Sequence, residues 1–335
     1  MTARTDDPMD ALRDLPKPPG QQSAFGTAGD FAAPTGTRVD PRRPTGYYLD
    51  LRSKADVPGH PPPWWPRTPH APRVVILQWA LGCFEHYLEA GNEEWLRTAR
   101  WAADQMVAQQ HQSGSERGGW THEYRHRHTY RIDPPWMSGM AQGQAASLLV
   151  RIHLETGEDE YAEAALAAVE PMRRPVPSGG VAGELDGGWL PEEYPTEPAS
   201  HVLNGAIFGV WGVYDVGAAL GDESAAELAR EGVNTIADSL HRYDTGYWSR
   251  YDLFPHPIFN IASPMYHRLH VNQLRAMEAI SDDPRFAATA ERFAGYERSR
   301  FGLARAYAHK VAFRMLVPRN RWLAHRLPWR HREPR

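Results

Sequence analysis

The chain has 335 residues and 41% hydrophobic side chains, enough to bury a core in one large domain or two modest ones. Its net charge of −4 gives no reason to expect nucleic-acid binding. The single cysteine, Cys83, excludes an internal disulfide and is compatible with a reducing compartment. The N-terminus lacks the apolar core of a signal peptide, and no apolar run of about 18 residues predicts a membrane span. We therefore expect a soluble protein that is cytoplasmic or peripheral to a membrane.

Residues 1–73 are rich in proline and glycine and lack a periodic hydrophobic pattern. We expect them to form an extended, irregular N-terminal segment with short strands at most.

From residue 74 the sequence repeats a turn of one design: "EAGNEEWLRTA", "ETGEDEYAEAA", "ALGDESAAELA" and "AISDDPRFAATA". The turn positions are Gly91, Gly157, Gly221 and Ser281. Glycine or serine allows one helix to end, and the acids that follow favour the next helix N-terminus. This period predicts stacked helical hairpins, a mainly α fold that closes into an (α/α) toroid with a cleft at one end. We assign residues 74–305 to this domain and 306–335 to a basic C-terminal tail.

A second marker accompanies the repeat, and each copy is followed by a tyrosine. The copies are "GGW" at 118–120, "GGW" at 187–189 and "GYW" at 246–248, and the tyrosines are Tyr124, Tyr194 and Tyr251. Repeats stacked with rough rotational symmetry would bring the three phenols into one cleft. The alternative is that each is an ordinary packing tyrosine with a satisfied hydroxyl. Beyond Tyr194, Ser200 is the predicted N-cap of a helix that begins near Val202.

The stretch "THEYRHRHTYR" (121–131) alternates like a strand. One face would carry His122, Tyr124, His126, His128 and Tyr130, with arginines on the other. His126 and His128 have a spacing seen in zinc sites, but no third ligand motif accompanies them. We therefore predict no metal site and favour a polyanion-binding surface.

Four stretches resemble the C-terminal catalytic domain of the heparosan and heparan-type D-glucuronyl C5-epimerases. They are "WMSGMAQGQAASLLVR" (136–151), "EEYPTEPASHVLNGAIFGVWGVYDV" (192–216), "YDTGYWSRYDL" (243–253) and "YHRLHVNQL" (266–274). The resemblance covers roughly residues 118–295. It implies an (α/α) toroid that inverts C5 of D-glucuronate within an anionic polysaccharide to give L-iduronate. No cofactor is predicted, and a divalent cation such as calcium or a homodimer is compatible with the sequence but not indicated by it.

The resemblance also implies catalytic residues, by position in the shared motifs. Glu193 and Tyr194 match the acid and tyrosine of "EEYPT", Tyr251 matches the tyrosine of "YDL", and Tyr266 matches that of "YHRLHVNQL". We assign Tyr194 and Tyr266 as the proton-transfer pair and Glu193 as an orienting or proton-exchanging group. Because C5–H lies next to a carboxylate, its removal creates an enediolate whose added charge donors must neutralise.

Further residues are predicted to bind substrate: Arg250, Arg268, His270, Asn272, Tyr124, Gln142 in "MAQGQA" and Asn204 in "VLNG". For His270 and Asn272, ordinary polar lining is an equal alternative. One departure is Phe254, which stands where the family carries an arginine. Arg250 or Arg268 would then grip the uronate. Tyr47 and Tyr48 in "GYYLDL" are candidates to reach over the cleft, because family members contribute an N-terminal tyrosine.

Three functions remain open at this point. The first is a polysaccharide uronate C5-epimerase, and the second is a uronate-polymer lyase that shares the C5 proton abstraction. The third is a glycan-binding toroid without catalytic activity, which is suggested by Phe254 at the position where the family carries an arginine. The basic tail, with its interspersed Leu, Trp and Phe, predicts contact with an anionic membrane surface or glycan, or a helix packed on the toroid.

Overall fold

A computed structural model describes residues 31, 38–55, 73–126 and 129–317. Its α-helices are α1 (Arg73–Ala90), α2 (Glu93–Gln109), α3 (Gly139–Thr156), α4 (Asp159–Ala167), α5 (Glu170–Arg173), α6 (Leu203–Leu220), α7 (Glu223–Ser239), α8 (Pro264–Ser281), α9 (Pro284–Arg298) and α10 (Arg300–Leu316). Two antiparallel strand pairs join β1 (Thr121–His122) to β2 (Trp136–Met137) and β3 (Ala182–Leu185) to β4 (Gly188–Pro191). Short 3-10 helices occupy Arg52–Lys54, Val176–Ser178 and Leu240–Tyr243.

The four predicted turns join helices into hairpins: α1 with α2, α3 with α4, α6 with α7, and α8 with α9. Gly91, Gly157 and Gly221 have φ of 63°, 73° and 69°, the left-handed conformation that ends a helix. In the fourth turn this residue is Asp282, with φ of 58°, and Ser281 is the last residue of α8. The predicted hairpins are confirmed, with that one-residue correction.

The hairpins form two rows of helices. The inner row consists of α1, α3, α6 and α8, arranged in the order in which they occur in the chain. Each of these helices contacts the next. The first three inner helices are buried along most of their length, whereas α2, α7 and α9 bury one stripe, as amphipathic outer helices do. The mainly α fold is thus confirmed, and closure of the inner row into a toroid stays a prediction.

Glycines let α3 and α6 touch backbone to backbone. A Cβ on Gly143 would lie 2.4 Å from the carbonyl oxygen of Phe208, and one on Gly212 would lie 2.2 Å from that of Gly143. Since real Cβ atoms do not approach so closely, both positions require glycine. The close approach also brings the N-terminal ends of α3 and α6 side by side.

Residues 45–51 pack inside the fold. Tyr47 and Tyr48 are buried, and their rings contact Trp211 of α6 at centroid distances of 5.7 and 4.7 Å. The hydroxyl of Tyr48 donates to Asp215, which also forms a fully buried ion pair with Arg151 (2.6 Å). The prediction that these tyrosines reach over a cleft is wrong, because they fill the interior between the inner helices.

Helix α6 is long and apolar enough to cross a membrane, but 78% of it is buried inside the fold. Among the residues that the structure covers, no other helix meets that test. It therefore serves as a core helix here. Helix α10 runs across position 305, where we placed a domain boundary. Most of residues 1–73, and the tail from residue 318, lie outside the described residues.

Candidate active site

Three loops lead from the outer row back to the inner row, and each contains one of the tryptophan markers. The indole N–H of Trp120, Trp189 and Trp248 donates to the carbonyl of Met106 (2.8 Å), Met172 (2.8 Å) and Ala262 (2.9 Å). These buried tryptophans fix the base of each loop. The loops end at the N-termini of α3, α6 and α8.

Tyrosines from the three loops and from α8 meet in one group, the tyrosine cluster: Tyr124, Tyr130, Tyr194, Tyr251 and Tyr266. Ring centroids lie 4.9 Å apart for Tyr130 and Tyr194, and 5.0 Å apart for Tyr251 and Tyr266. Tyr194 also lies close enough to Tyr266 and Tyr124 for their charges to raise its pKa, after the larger effect of burial. Tyr194, Tyr251 and Tyr266 keep part of their surface exposed. The structure therefore brings together the four tyrosines that the sequence singled out.

A buried carboxylate shapes the loop that carries Tyr194. Glu192 Oε2 accepts hydrogen bonds from the backbone N–H (3.2 Å) and hydroxyl (2.8 Å) of Ser200 and from the backbone N–H of His201 (2.9 Å). The predicted N-cap role of Ser200 is wrong, because its hydroxyl serves Glu192 and Val202 is the N-cap of α6. Glu192 thus folds the loop back on itself.

Glu193 lies buried at the start of α6. The Asn204 side-chain amide lies 3.5 Å from its Oε2 atom, and a Cβ on Gly205 would lie 2.4 Å from that atom. Burial raises the pKa of the Glu193 carboxyl to about 8, and the nearby charge of Glu192 adds to the rise. A carboxyl with this pKa exchanges protons near neutral pH.

Asp252 joins two of the loops and was not predicted from the sequence. Its Oδ2 atom accepts from the hydroxyl of Tyr130 (2.5 Å) and the side-chain amide of Asn260 (2.6 Å). The backbone on either side is also held, since Leu203 N donates to Tyr251 O (3.2 Å). Two features of the sequence could have indicated Asp252. It follows Tyr251 in the motif "YDL", and its partner Tyr130 lies in the histidine-rich stretch 121–131.

Tyr194 and Tyr251 are protonated in the unliganded protein. Burial raises the pKa of Tyr194 and Tyr251 well above the ordinary value of 10, and the charge of Glu193 raises both further. Each hydroxyl can therefore donate a proton directly, and can accept one only as its own proton leaves.

Two arginines, Arg73 beside Tyr124 and Arg250 next to Tyr251 in the chain, make no ion pair with any carboxylate in the described ranges. Arg250 lies over the ring of Phe259, and burial lowers its pKa. Arg73, which the sequence analysis missed, begins α1 beside Tyr124, and burial lowers its pKa to about 10. Its guanidinium donates to Gln109 Oε1 (2.8 Å) and Thr121 O (3.4 Å). Desolvated cations of this kind suit a carboxylate ligand.

Arg268 and Asn272 lie on a different face of α8 from Tyr266. Arg268 pairs with Glu297 (2.5 Å), and Asn272 donates to the carbonyl of Phe31 (2.7 Å). Both line a separate cavity of about 230 Å³ beside Phe31. The structure therefore does not bring these two predicted residues into the tyrosine cluster. Phe254 does lie there, its ring 5.6 Å from that of Tyr130.

Several buried polar side chains between the inner helices retain hydrogen-bonding capacity. His270 meets the hydroxyl of Ser249 through Nδ1 (2.9 Å), and Gln142 donates to Trp120 O (3.2 Å). Atoms that bond to no other described residue are His270 Nε2, Gln142 Oε1, Asn204 Oδ1 and Gln273 Oε1. Buried polar atoms normally find a partner, so these can bind water or a polar ligand.

The described histidines of the stretch 121–131 do not add positive charge to a surface, whereas Arg125 and Arg131 on the other side are exposed. The polyanion-binding surface stays a prediction. His122 is buried, and burial lowers its pKa to about 3 and that of His126 to about 4. Both rings are therefore neutral near pH 7 and pack on Trp136 at 4.3 and 5.8 Å. His128 lies outside the described residues. Within the described part of the chain, no three His, Cys, Asp or Glu side chains gather as a metal site.

The fold and the site thus define a protein of helical hairpins whose loops gather tyrosines around a buried carboxyl. The family model described as "D-glucuronyl C5-epimerase C-terminus" matches residues 113–295, more than half of the chain. The chain belongs to this family, which confirms the resemblance read from its motifs.

Two curated relatives show the extent of the similarity. The chain is 34% identical over 213 residues to the D-glucuronyl C5-epimerase of Caenorhabditis elegans, covering 58% of this chain and 34% of that protein. It is 30% identical over 132 residues to an uncharacterized protein of Methanocaldococcus jannaschii, covering 38% of this chain and 42% of that one. The chain thus matches less than half the length of either relative.

Proposed function

We propose that the protein is a polysaccharide uronate C5-epimerase that converts D-glucuronate to L-iduronate residues within an anionic polymer. The observation that carries the proposal is the meeting of Tyr194, Tyr251 and Tyr266 with Glu193 at one end of the helical rows. The name of the Caenorhabditis elegans relative and the family match support the same reaction.

The uronate carboxylate must be neutralised before C5 can lose a proton, because the resulting enediolate carries an added negative charge. Arg250 and Arg73 supply partly desolvated positive charge and form no ion pair with a described carboxylate, although Asp252 and Glu123 lie close enough to attract them. In this proposal they hold the carboxylate, and Arg250 or Arg73 takes over the task of the arginine that Phe254 replaces. Arg268, already paired with Glu297, has no part in it.

The proton steps follow from the raised pKa values. The Tyr194 oxygen takes the C5 proton while its own proton passes to Glu193, which acts in the fraction of molecules where it is ionised, since its pKa is about 8. C–H cleavage then leaves an enediolate and a neutral acid. Tyr266 then donates its hydroxyl proton to C5 on the opposite face and becomes a phenolate. Glu193 releases the proton it gained to solvent and the phenolate takes one up, which restores the starting state. The reverse direction exchanges the two roles. Tyr251, whose ring touches that of Tyr266, is placed to donate to the developing charge.

Deuterium incorporation tests this function directly. The protein is incubated with a glucuronate-containing polymer in deuterated water, and deuterium at C5 is measured by NMR. We expect wild-type exchange, and a fall of about 10² or more in Tyr194→Phe and Tyr266→Phe, since each keeps its ring but loses the hydroxyl. Tyr307→Phe is the matched control, because Tyr307 is exposed on α10.

Each alternative outcome is distinct. Release of an unsaturated uronate that absorbs in the ultraviolet would show a lyase instead. Binding of uronate polymers without any exchange, across several polymers and divalent cations, would show the non-catalytic toroid. Loss of exchange together with a lowered melting temperature would show that the hydroxyl has a structural role.

A further inference from the structure

The last described helix carries an exposed apolar surface, which we name the α10 stripe. It comprises Phe301, Ala304, Tyr307, Ala308, Val311 and Met315, which recur at helical spacing and are all exposed. Phe301, Val311 and Met315 are 83%, 59% and 62% exposed. The opposite face of the helix, with Ala306 and Phe313, is buried. The stripe is therefore additional to the face that holds α10 on the protein.

The stripe lies in the most basic part of the chain. Residues 300–335 contain ten arginines and lysines and one glutamate, although the whole chain has a net charge of −4. Helix α10 itself has no acidic residue, and Arg305 and Arg314 flank the stripe on its two sides. A second copy of this chain docked on the same face would bring like charges together. The charge therefore favours an anionic partner.

We propose that the α10 stripe docks on a membrane surface that contains anionic phospholipid. Phe301, Val311 and Met315 enter the boundary between headgroups and acyl chains, and the flanking arginines contact lipid phosphates. The basic sequence beyond residue 317 adds electrostatic attraction, because one weak apolar contact alone gives only reversible binding. An anionic polysaccharide would use the charge but leave the stripe without an apolar partner.

Sedimentation with lipid vesicles tests the proposal. The full chain is mixed with vesicles of phosphatidylcholine alone or with added phosphatidylglycerol, and the bound fraction is measured. We expect binding to the anionic vesicles only, weakened about tenfold or more in Val311→Asp combined with Met315→Asp. Leu166→Asp is the matched control, because Leu166 is an exposed leucine on α4 outside the stripe. Melting curves establish that the variants fold, as expected for exposed sites.

Several results would overturn the proposal. Equal binding of the wild type and the stripe variant would show that the stripe does not touch lipid. Wild-type self-association, seen by sedimentation velocity without vesicles and lost in the stripe variant, would show a dimer interface. Binding to a soluble uronate polymer but to no vesicle would show that the basic region serves a glycan. These results are independent of deuterium exchange, so this proposal and the proposed function can fail separately.

Discussion

At the scale of single residues, Glu193 couples the site to the stability of the fold. Its pKa lies near 8 in the folded protein, against an ordinary value near 4.5. Between these pH values the folded state keeps a proton that the unfolded state has lost. The stabilising effect is therefore complete below about pH 4.5 and lost as the pH rises to about 8, at about 1.4 kcal/mol per pH unit.

Glu193→Gln should therefore make stability less dependent on pH. We expect the urea midpoint of the wild type to fall between pH 5 and 8, and that of the variant to fall less steeply. Some dependence should remain, because burial also raises the pKa of Glu85 to about 8. Equal slopes for the two proteins would show that Glu193 is ionised in the folded state.

Steady-state kinetics can show which of Arg250, Arg73 and Arg268 binds the uronate. We expect Arg250→Gln and Arg73→Gln each to lower kcat/KM for the polymer about tenfold or more, because a hydrogen bond to a charged ligand is lost. Arg268→Gln serves as the control and should change it less than about twofold. A large effect of Arg268→Gln alone would contradict the proposed grip on the uronate.

The sequence predicted which tyrosines matter but not what holds them. The repeat predicted the convergence of Tyr124, Tyr194 and Tyr251, and the family resemblance added Tyr266. The bond from Tyr130 to Asp252 spans 122 positions and depends on how two loops pack. Arg73 carries no motif at all, and only its burial beside Tyr124 marks it. Such contacts are tertiary, and no local pattern encodes them.

At the scale of secondary-structure elements, the close contact of α3 and α6 sets the position of the site. Gly212→Ala would place a Cβ 2.2 Å from the Gly143 carbonyl oxygen, so the helices would have to move apart. We expect a loss of about 1–3 kcal/mol in the free energy of unfolding, together with reduced exchange activity, because Glu193 lies at the start of α6.

Gly295→Ala in α9 is the matched control. Its Cβ would meet nothing closer than 3.9 Å, and alanine favours helix over glycine. We expect this variant to gain about 0.5–1 kcal/mol, measured by urea unfolding. Similar stability changes in both variants would show that the helix contact does not depend on glycine.

Helix ends could be predicted from the sequence where residues next to each other in the chain determine them. The turns at Gly91, Gly157 and Gly221 were predicted because a left-handed residue followed by acids is a short-range signal. The N-cap at Ser200 failed because a buried carboxylate, Glu192, competes for its hydroxyl. The burial of Glu192 itself depends on the whole fold.

At the scale of the whole molecule, residues 45–51 lie buried between the helices, within a segment whose proline- and glycine-rich context predicted irregular structure. Their backbone is paired with the inner row, since Glu85 accepts the N–H groups of Tyr47 (3.2 Å) and Leu51 (2.6 Å). A proline- and glycine-rich composition indicates that a segment does not form regular structure by itself. This segment is ordered because the inner helices supply hydrogen-bond and packing partners for it.

The buried pair of Arg151 and Asp215 gives the final prediction. Both side chains are fully buried, and Gly46 O lies 3.2 Å from the Arg151 guanidinium, so the pair joins α3, α6 and the N-terminal segment. Arg151→Met would leave the Asp215 charge without its partner, at a cost of about 3–5 kcal/mol. Arg275→Met, which breaks the exposed pair with Glu291, should cost less than about 1 kcal/mol.

Urea unfolding of both variants distinguishes a structural network from an ordinary ion pair. A loss in Arg151→Met no larger than that in Arg275→Met would mean that Tyr48 alone is a sufficient partner for Asp215. The expected large loss should come with earlier proteolysis of the N-terminal segment, because Arg151 binds the Gly46 carbonyl directly. Tyr194 lies in the loop that leads into the N-terminus of α6, whereas Asp215 lies toward its C-terminus, so the N-terminal segment would then support the site through the helices it holds together.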